Sequence, residues 1–345
     1  PLLEIKNLVT EFHTEDEIIP AVNNVSFTLH KGETIGIVGE SGSGKSVTSL
    51  SAMGLIQSPP GKIVAGNIEL HSSSGIVDLA NLPNNEMRKY RGNEIAMIFQ
   101  EPMTSLNPVY TCGNQVVEAI KLHQKGGVNA KEKALQLFRE VKLSRPNEIF
   151  KSYPHEISGG QKQRVMIAMA MSCEPSILIA DEPTTALDVT VQKEILELMN
   201  EMQYKKKMGI LFITHDLGVI AELADKVIVM NKGRIVESGN VLDIFSNPQH
   251  PYTRGLLACR PTLKRRLSSL PTTSTFMTQN NDGSIVELTD NVQSVLDKLE
   301  LSNEQVTNRI SHVLAQRTIL KVQDLKTYFP INNNFFGKPK RWLRR

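Results

Sequence analysis

The amino-acid sequence predicts an α/β fold in which helices cover both faces of a mostly parallel sheet. Short, almost wholly apolar runs recur along the chain, and such runs are typical of strands buried on both faces. Stretches with helical character separate these runs, so the connections are long enough for parallel pairing. The 345 residues, 40% of them apolar, suffice for a sizeable core and suggest about two domains.

The first predicted elements are two half-buried strands, Leu2–Leu8 and Val25–Leu29, in which apolar and polar residues alternate. Thr34–Val38 is an apolar run that ends at a glycine-rich loop. It is predicted to be a buried strand, and residues 46–56 after it a helix. Four more buried strands are predicted at Ile95–Phe99, Ile177–Ala180, Ile210–Thr214 and Val227–Met230.

Three longer segments depart from this pattern. Residues 114–150 are polar-rich with spaced apolar positions, which predicts a separate helical subdomain. Ser268–Asn281 is rich in Ser, Thr, Asn and Pro and is predicted to be a linker. Residues 289–316 are expected to form one more amphipathic helix.

The charge is unevenly distributed along the chain. The net charge is +3, but residues 1–319 carry 32 basic and 35 acidic side chains, whereas residues 320–345 carry 7 basic and 1 acidic. A general polyanion-binding face therefore gains little support. The three cysteines are widely spaced and form no metal-ligand pattern, which favours a reducing compartment. No apolar run has the length that a membrane span requires.

One internal repeat joins the two ends of the chain. Leu3–Phe12 aligns with Leu320–Phe329 at an offset of 317 residues, with four identical positions. Two amphipathic strands can look alike by chance over ten residues. The other interpretation is a second copy of the domain that begins near Ile319.

Gly39–Ser46 matches the phosphate-binding pattern of glycines, Lys and Ser at fixed spacing. Glycines let the backbone turn its N–H groups toward phosphate oxygens, and the following helix adds its positive N-terminal end. Lys45 is expected at the β- and γ-phosphates and the Ser46 hydroxyl on Mg²⁺. A flexible Gly/Ser loop is the alternative, but the position between a buried strand and a helix favours the phosphate site. The predicted binding residues are Gly39, Ser41, Gly42, Ser43, Gly44, Lys45 and Ser46.

Two carboxylates, Asp181 and Glu182, follow the apolar strand Ile177–Ala180. At a strand end beside a phosphate loop, Asp181 would meet the Mg²⁺ hydration shell and Glu182 the γ-phosphate. Such a pair can also cap a helix, but the phosphate loop in the same sheet favours the catalytic role. Glu182 is predicted to be the general base that polarises the attacking water.

A second anion site is predicted at Ser158–Gln161, before the predicted helix Lys162–Met171. The free N–H groups and the dipole at a helix N-terminus attract anions. Alone, a Ser-Gly-Gly turn is usually only an N-cap. Its place 112 residues after Ser46, in order with the other two motifs, favours nucleotide binding for Ser158, Gly159, Gly160 and Gln161.

These motifs together resemble those of the ATP-binding-cassette (ABC) ATPases, over roughly residues 2–260. The matching segments follow the family's order: phosphate loop Gly39–Ser46, glutamine loop at Gln100, signature Ile157–Gln161, acidic motif Ile177–Glu182, aspartate loop Ala186–Asp188 and switch histidine His215. The resemblance implies a P-loop NTPase (RecA-like) core with a mostly parallel sheet, an antiparallel β subdomain, and an inserted α-helical subdomain over about residues 101–165.

The resemblance also implies roles for single residues. Gln100 would sense Mg²⁺ and the attacking water, His215 would hold the γ-phosphate, and Phe12 would stack on adenine. Catalysis would thus rest on Glu182, His215 and Gln100. The implied Mg²⁺ ligands are Ser46, Gln100 and Asp181.

In this family the signature of one copy closes over the ATP that another copy holds. Ser158, in the signature, would therefore serve a partner's nucleotide, and Asp188 of the aspartate loop is a further implied nucleotide-binding residue. Two bound ATP molecules join the two domains, hydrolysis releases them, and this cycle drives the membrane subunits.

Three stretches narrow the resemblance to the ATPase subunits of dipeptide/oligopeptide importers: Gln100–Pro108, Thr185–Thr190 and Asn247–Thr253. Many members carry an iron–sulfur cysteine cluster after the last stretch. Only Cys259 lies near that place here, so no cluster is expected. The implied function is ATP hydrolysis, with ATP and Mg²⁺, that powers import of peptides or a related small solute.

The implied partners are a second, homologous but unlike ABC ATPase domain, two transmembrane permease subunits and a periplasmic or lipid-anchored solute-binding protein. Nucleic acid is not expected as a partner. The implied location is peripheral, at the cytoplasmic face of the inner or plasma membrane.

The implied domain organisation is an ABC ATPase domain over 1–262, a linker or C-terminal extension over 263–318, and the truncated start of a possible second ABC domain over 319–345. This would be the first half of a fused pair of ATPases. The alternative function is a soluble tandem ABC ATPase acting on ribosomes or nucleic acid. Residues 46–158 show no sustained heptads, which disfavours the coiled-coil DNA-repair type but leaves the ribosome type open.

Overall fold

The computed structural model describes residues 1–100, 105–124, 129–260, 265–279, 285–288, 292–333 and 339–344. The chain divides into two units. The first comprises Pro1–Arg260 with Pro271–Val292, and the second comprises Pro261–Leu270 with Gln293–Arg345.

The strands, numbered along the chain, are β1 (Leu3–His13), β2 (Ile18–Leu29), β3 (Thr34–Val38), β4 (Gly61–Ser72), β5 (Gly75–Asp78), β6 (Ile95–Ile98), β7 (Ile177–Asp181), β8 (Gly209–Ile213), β9 (Lys226–Asn231), β10 (Arg234–Asn240), β11 (Met277–Gln279), β12 (Ile285–Glu287), β13 (Tyr328–Asn333) and β14 (Pro339–Arg344). All the strands predicted from apolar runs or alternation are present. The short pairs β11–β12 and β13–β14 are antiparallel hairpins.

The helices are α1 (Lys45–Ala52), α2 (Asn84–Met87), α3 (Cys112–His123), α4 (Ala130–Glu140), α5 (Pro146–Lys151), α6 (Gly159–Ala170), α7 (Val189–Lys206), α8 (Leu217–Leu223), α9 (Val241–Ser246), α10 (Pro251–Ala258), α11 (Thr273–Phe276), α12 (Val292–Leu299) and α13 (Asn303–Ala315). Short 3₁₀ turns occur at Leu79–Asn81, Pro154–Glu156 and Met171–Cys173. Helix α1 is shorter than the predicted 46–56, since Gly54 adopts a left-handed conformation (φ 58°) that ends it.

A six-stranded sheet forms the centre of the first unit, in the order β10-β9-β3-β8-β7-β6. Strands β9, β3, β8, β7 and β6 run parallel, and only β10 pairs antiparallel, with β9. Every residue of β3, β7 and β8 is buried. This confirms the α/β class predicted from the apolar runs, because unbroken apolar strands are covered on both faces.

A second, antiparallel sheet has the order β2-β1-β4-β5. Its buried residues, such as Leu3 and Ile68, pack against one face of the parallel sheet and form one apolar cluster with it. Strand β1 carries a bulge around Asn7, whose φ is 50°. Asparagine tolerates this left-handed conformation better than most residues do.

Helices α3, α4, α5 and α6 pack together with the other face of the parallel sheet, around Phe138 and Val165. Helices α3, α4 and α5 correspond to the predicted helical stretch 114–150, and α6 corresponds to the predicted helix Lys162–Met171. Residues 101–104 and 125–128 of the implied subdomain lie outside the described part of the chain.

The structure differs from the sequence prediction after residue 265. Part of the predicted linker Ser268–Asn281 forms α11 and β11, and Phe276 is only 1% exposed. Phe276 belongs to the first unit and is buried in it, so burial outweighs the polar composition around it. The helix predicted over 289–316 is two helices, because Ser302 caps the start of α13 with a reciprocal capping box to Gln305. The predicted residues 289–291 lie outside the described chain.

In the second unit, the repeat beginning at Leu320 has no regular secondary structure before β13. Leu320, Val322 and Leu325 are 80%, 58% and 77% exposed, whereas their counterparts in β1 are fully buried. Asp324 nevertheless has a left-handed φ of 53°, as its counterpart Asn7 does.

Candidate active site

The predicted phosphate loop, residues 39–46, connects the buried strand β3 to helix α1. Gly42 and Gly44 have φ angles of 78° and 98°, conformations that favour glycine. A Cβ on Gly44 would also run into the backbone oxygen of Ala21. The glycine spacing seen in the sequence is therefore required by the path of the backbone.

Lys45 is held inside this loop. Its side chain donates hydrogen bonds from Nζ to the Gly39 oxygen (2.7 Å), the Glu40 oxygen (2.8 Å) and the Ser43 Oγ (3.3 Å). Burial lowers the pKa of Lys45, although nearby carboxylates, Glu182 first among them, counteract this. The ammonium group thus lies where a phosphate group would give it stronger partners than carbonyl oxygens do.

The Ser46 hydroxyl donates a 3.1 Å hydrogen bond to Asp181 Oδ1. This contact joins the phosphate loop to the carboxyl end of β7. Asp181 is 4% exposed, and its burial raises its pKa, which the Ser46 bond and Lys45 partly offset. A hydroxyl and a carboxylate at hydrogen-bond distance are ligands that Mg²⁺ prefers, so these residues fit that ion.

Glu182 is contacted by three side chains, two of them (Gln100 and His215) from the ends of the neighbouring strands β6 and β8. Gln100 Nε2 donates to its Oε2 (3.1 Å), Thr185 Oγ1 donates to the same oxygen (3.0 Å), and His215 Nδ1 lies 3.2 Å from its Oε1. Its N–H donates to the Ile213 oxygen of β8 (2.9 Å). These contacts orient one carboxylate at the carboxyl edge of the parallel sheet, where α/β proteins bind ligands.

These residues enclose a cleft of about 320 Å³. Among the described residues, its lining is Ser41, Gly42, Ser43, Gly44, Lys45, Ser46, Val47, Gln100, Glu182 and His215. The fold thus brings together the predicted phosphate loop and the predicted catalytic residues, which come from four separate parts of the sequence. Hydrogen-bond donors and an oriented carboxylate face the same space, which suits phosphate binding and activation of a water molecule.

The predicted signature residues lie outside this lining. Ser158 caps α6: its Oγ accepts from the Gln161 N–H (3.3 Å), and Gln161 Oε1 accepts from the Ser158 N–H (2.9 Å). Asp188 caps α7 by accepting from the Val191 N–H (3.0 Å). Ser158 and Asp188 are both exposed, and a Cβ on Gly160 would meet the Val191 side chain.

Phe12 also lies outside the cleft lining. It is half-buried in β1, opposite Gly61 of β4. A Cβ built on Gly61 would come within 3.1 Å of the Phe12 ring. Its predicted contact with adenine stays a prediction.

Three residues with contacts at the site were missed as site residues by sequence reasoning. Thr185 bonds Glu182, and its position three residues after that carboxylate was the available signal. Tyr252 accepts a hydrogen bond from the Glu40 N–H of the phosphate loop (3.0 Å). Thr273 Oγ1 donates to Glu40 Oε1 (2.9 Å). Tyr252 lies in a stretch singled out for its resemblance alone, and Thr273 in the predicted linker.

Comparison with known proteins agrees with this geometry. Residues 22–185 match the ABC transporter family, and residues 236–283 match the oligopeptide/dipeptide transporter C-terminal region. The oligopeptide transport ATP-binding protein AppD of Bacillus subtilis is 53% identical over 270 residues, which are 78% of this chain and 81% of AppD.

Two further relatives extend the comparison. A putative peptide import ATP-binding protein of Brucella melitensis is 54% identical over 265 residues, 76% of this chain and 78% of that protein. The glutathione import ATP-binding protein GsiA of Salmonella choleraesuis is 43% identical over 343 residues, 99% of this chain but 52% of GsiA. This chain therefore spans about half the length of GsiA.

Solved structures match as well. The dimeric structure of a bacterial ABC transporter cassette aligns with a TM-score of 0.61 and 28% identity, covering 69% of this chain and 98% of that chain. A post-hydrolysis state of that cassette, bound to ADP and Pi, aligns with a TM-score of 0.60 at the same identity and coverage. These comparisons confirm the resemblance predicted from the motifs.

Proposed function

This chain belongs to the ABC transporter family of ATP-binding proteins, and from that premise we propose that it hydrolyses Mg·ATP to power the import of peptides or a related small solute. The observation that carries the proposal is the arrangement around Glu182. Its carboxylate, oriented by Gln100 and His215, faces the same cleft as Lys45 and the backbone of the phosphate loop.

The chemistry follows from what each group can do. Lys45 and the loop N–H groups bind and orient the phosphate chain. Glu182 accepts a proton from the attacking water, and His215 stabilises charge that develops on the γ-phosphate. Mg²⁺, held by Ser46, Asp181 and Gln100, would neutralise charge on the phosphate oxygens.

The exposed cap residues Ser158 and Asp188 support closure by a second ATPase domain. Ser158, with Gln161, caps α6, and Asp188 caps α7. A second nucleotide held by another cassette would meet the positive N-terminal ends of these helices. These two helix ends would complete the ATP site of a second ATPase domain, homologous but unlike, that carries its own phosphate loop.

ATP-binding subunits of import systems work with membrane permeases, and membership of this family implies permease partners for this chain. We place it at the cytoplasmic face of the membrane, bound to two permease subunits and coupled through them to a solute-binding protein. No helix among the described residues is long and apolar enough to cross a bilayer. The named relatives are an oligopeptide transport, a putative peptide import and a glutathione import ATP-binding protein, and they give the ribosome alternative no support.

A related proposal is that residues 319–345 begin a second cassette. The alignment with GsiA extends over 99% of this chain and covers only about half of GsiA. Leu320, Val322 and Leu325 repeat the buried pattern of β1 but are exposed, and Asp324 keeps the left-handed bulge conformation of Asn7. Strands equivalent to β2 and β4 would cover this apolar face. Sequencing the gene past Arg345 tests the idea, and an in-frame stop without a second phosphate loop contradicts it.

The proposed function is tested with the assembled transporter in proteoliposomes. We expect peptide-stimulated ATP hydrolysis by the wild-type complex and at least ~100-fold less with Lys45→Ala. Lys31→Ala, at an exposed turn, is the matched control and should retain wild-type rates. A wild-type complex that neither binds Mg·ATP nor hydrolyses it contradicts the proposal.

A further inference from the structure

The phosphate loop is bonded on its outer side by residues far along the chain. The Glu40 N–H donates to the Tyr252 hydroxyl at 3.0 Å, across 212 positions of sequence. Thr273 Oγ1 donates to the Glu40 carboxylate at 2.9 Å, across 233 positions. Tyr252 and Thr273 both lie in the segment that matches the oligopeptide/dipeptide C-terminal region.

The Tyr252 bond and a bond from Lys45 act on the same peptide unit. The Gly39 oxygen and the Glu40 N–H belong to the same peptide plane. Lys45 Nζ donates to that oxygen (2.7 Å), while Tyr252 accepts from that N–H (3.0 Å). Lys45 thus holds the carbonyl end of this peptide, and it would exchange that bond for one to a phosphate group when nucleotide binds. Tyr252 holds the N–H end and can keep its bond.

Tyr252 is itself rigidly placed. It is fully buried, and burial raises its pKa to about 12, so the phenol stays neutral at physiological pH. His250 caps α10 by accepting from the Tyr252 N–H through Nδ1 (3.1 Å). The His250 N–H in turn donates to Glu237 of β10 (3.1 Å), which ties the start of α10 to the central sheet.

Helix α11 completes the arrangement. Gly255 of α10 faces Phe276, since a Cβ on this glycine would lie 3.6 Å from the Phe276 side chain. Phe276 is 1% exposed, so this close packing fixes α11 beside α10. Thr273, at the first position of α11, therefore reaches Glu40 from a supported helix rather than from a free linker.

We propose that helices α10 and α11 form a clamp that positions the phosphate loop, in which Tyr252 and Thr273 hold Glu40 and thereby keep the Gly39–Glu40 peptide in the orientation that nucleotide binding requires. The inference rests on the proposed function, and it gives the C-terminal region a role in nucleotide affinity. Tyr252 and Thr273 are positioning residues, because they bond the loop and are not among the described residues that line the cleft. If the loop samples other orientations, its apparent affinity for nucleotide falls in proportion to the fraction of molecules in which the peptide has the binding-competent orientation.

The test compares purified full-length variants by three measurements: titration calorimetry with Mg·ADP, hydrogen exchange of the Glu40 amide, and the KM and kcat for ATP in the assembled transporter. Tyr252→Phe removes only the hydroxyl. We expect its Kd for Mg·ADP and its KM to rise about tenfold and the Glu40 amide to exchange about tenfold faster. Its kcat should stay within about twofold of wild type, because Glu182 and Lys45 are unchanged.

Two companion variants keep the test decisive. Thr273→Val should raise Kd about threefold, and Thr273→Ser, which retains the hydroxyl, should restore it. Tyr90→Phe is the matched control and should leave Kd unchanged. Tyr90 is half-buried against the apolar cluster that contains Leu3 and Ile68, away from the phosphate loop contacts of Tyr252. If Tyr252→Phe does not fold, the Thr273 pair decides the question.

Unchanged Kd and unchanged Glu40 exchange in folded Tyr252→Phe would overturn the clamp while leaving the proposed function intact. A fall in kcat without a rise in KM would overturn it too. A wild-type chain that does not bind Mg·ADP would instead overturn the proposed function, and the clamp with it.

Discussion

His215 Nδ1 lies 3.2 Å from Glu182 Oε1, so the residues that follow β8 and β7 meet at one carboxylate. Gln100, which follows β6, bonds the other oxygen of Glu182 at 3.1 Å. Three adjacent parallel strands thus converge on a single group. Because both oxygens are held, the carboxylate has one preferred orientation toward the phosphate loop, and this arrangement leads to specific expectations for variants.

Glu182→Gln should retain nucleotide binding but nearly abolish turnover. The amide keeps the shape of the side chain and still bonds Gln100, yet it cannot accept a proton from water. We expect kcat to fall by roughly 10²–10⁴, while the Kd for Mg·ATP stays within about threefold of wild type. Glu197→Gln, on the exposed face of α7, is the control. Wild-type-like hydrolysis in a complex whose other ATP site is inactive would remove Glu182 from the role of base.

His215→Ala should slow hydrolysis with little effect on binding. The histidine lies at the rim of the cleft, where its charge or hydrogen bond is needed most as negative charge develops. A loss of about 10² in kcat is expected, the size seen when one stabilising donor is removed. His71→Ala, in the antiparallel sheet, should leave kcat unchanged. Equal losses in the two variants would argue against a specific role.

Ser158→Arg separates the two halves of the proposed composite site. Ser158 does not line the cleft of its own chain, so the single chain should bind Mg·ATP with a Kd within about twofold of wild type. ATP hydrolysis by the assembled transporter should be lost, because the arginine blocks the partner's nucleotide. Ser74→Arg, at an exposed turn, provides the comparison. If Ser158→Arg abolishes ATP binding by the isolated chain, the signature acts in its own site.

Glu33→Gln should destabilise the fold in a pH-dependent way. Burial opposes the charge of Glu33, but Lys226 (2.8 Å) and the His30 N–H (2.7 Å) outweigh it and hold the pKa of Glu33 below its usual value of 4.5. A depressed folded-state pKa contributes stability above the unfolded value, and this contribution disappears as the pH falls through the folded value.

The expected loss near neutral pH is about 1 kcal/mol, since Lys226 is half exposed and its attraction is screened. Thermal midpoints of wild type and variant should therefore differ by about 2–4 °C near neutral pH. They should converge when the pH drops below 4.5. Glu86→Gln, on an exposed helix, should show no such convergence. A difference that stays constant with pH would contradict the assignment.

The agreement between sequence and structure is uneven for physical reasons. The bounds of β3 were predicted residue for residue, because an apolar run that ends at glycines specifies both burial and turn. Strand β4 was missed, although Ile68 and Leu70 alternate, because Gly66 interrupts its pattern. The predicted linker contains α11, since the burial of Phe276 and Thr273 outweighs the local composition.

The sequence by itself was enough to identify three candidate site segments: the phosphate loop Gly39–Ser46, the acidic pair Asp181 and Glu182 at the end of β7, and the signature residue Ser158 at the start of α6. Each of these depends on a few neighbouring residues whose backbone conformation is locally constrained, as at Gly42 and Gly44. The tertiary structure alone decided that β8 lies between β3 and β7, which brings His215 to Glu182. It alone joined Tyr252 to Glu40, across 212 positions. No local periodicity encodes such a pair, because its contact depends on which strands are neighbours and on what the core buries.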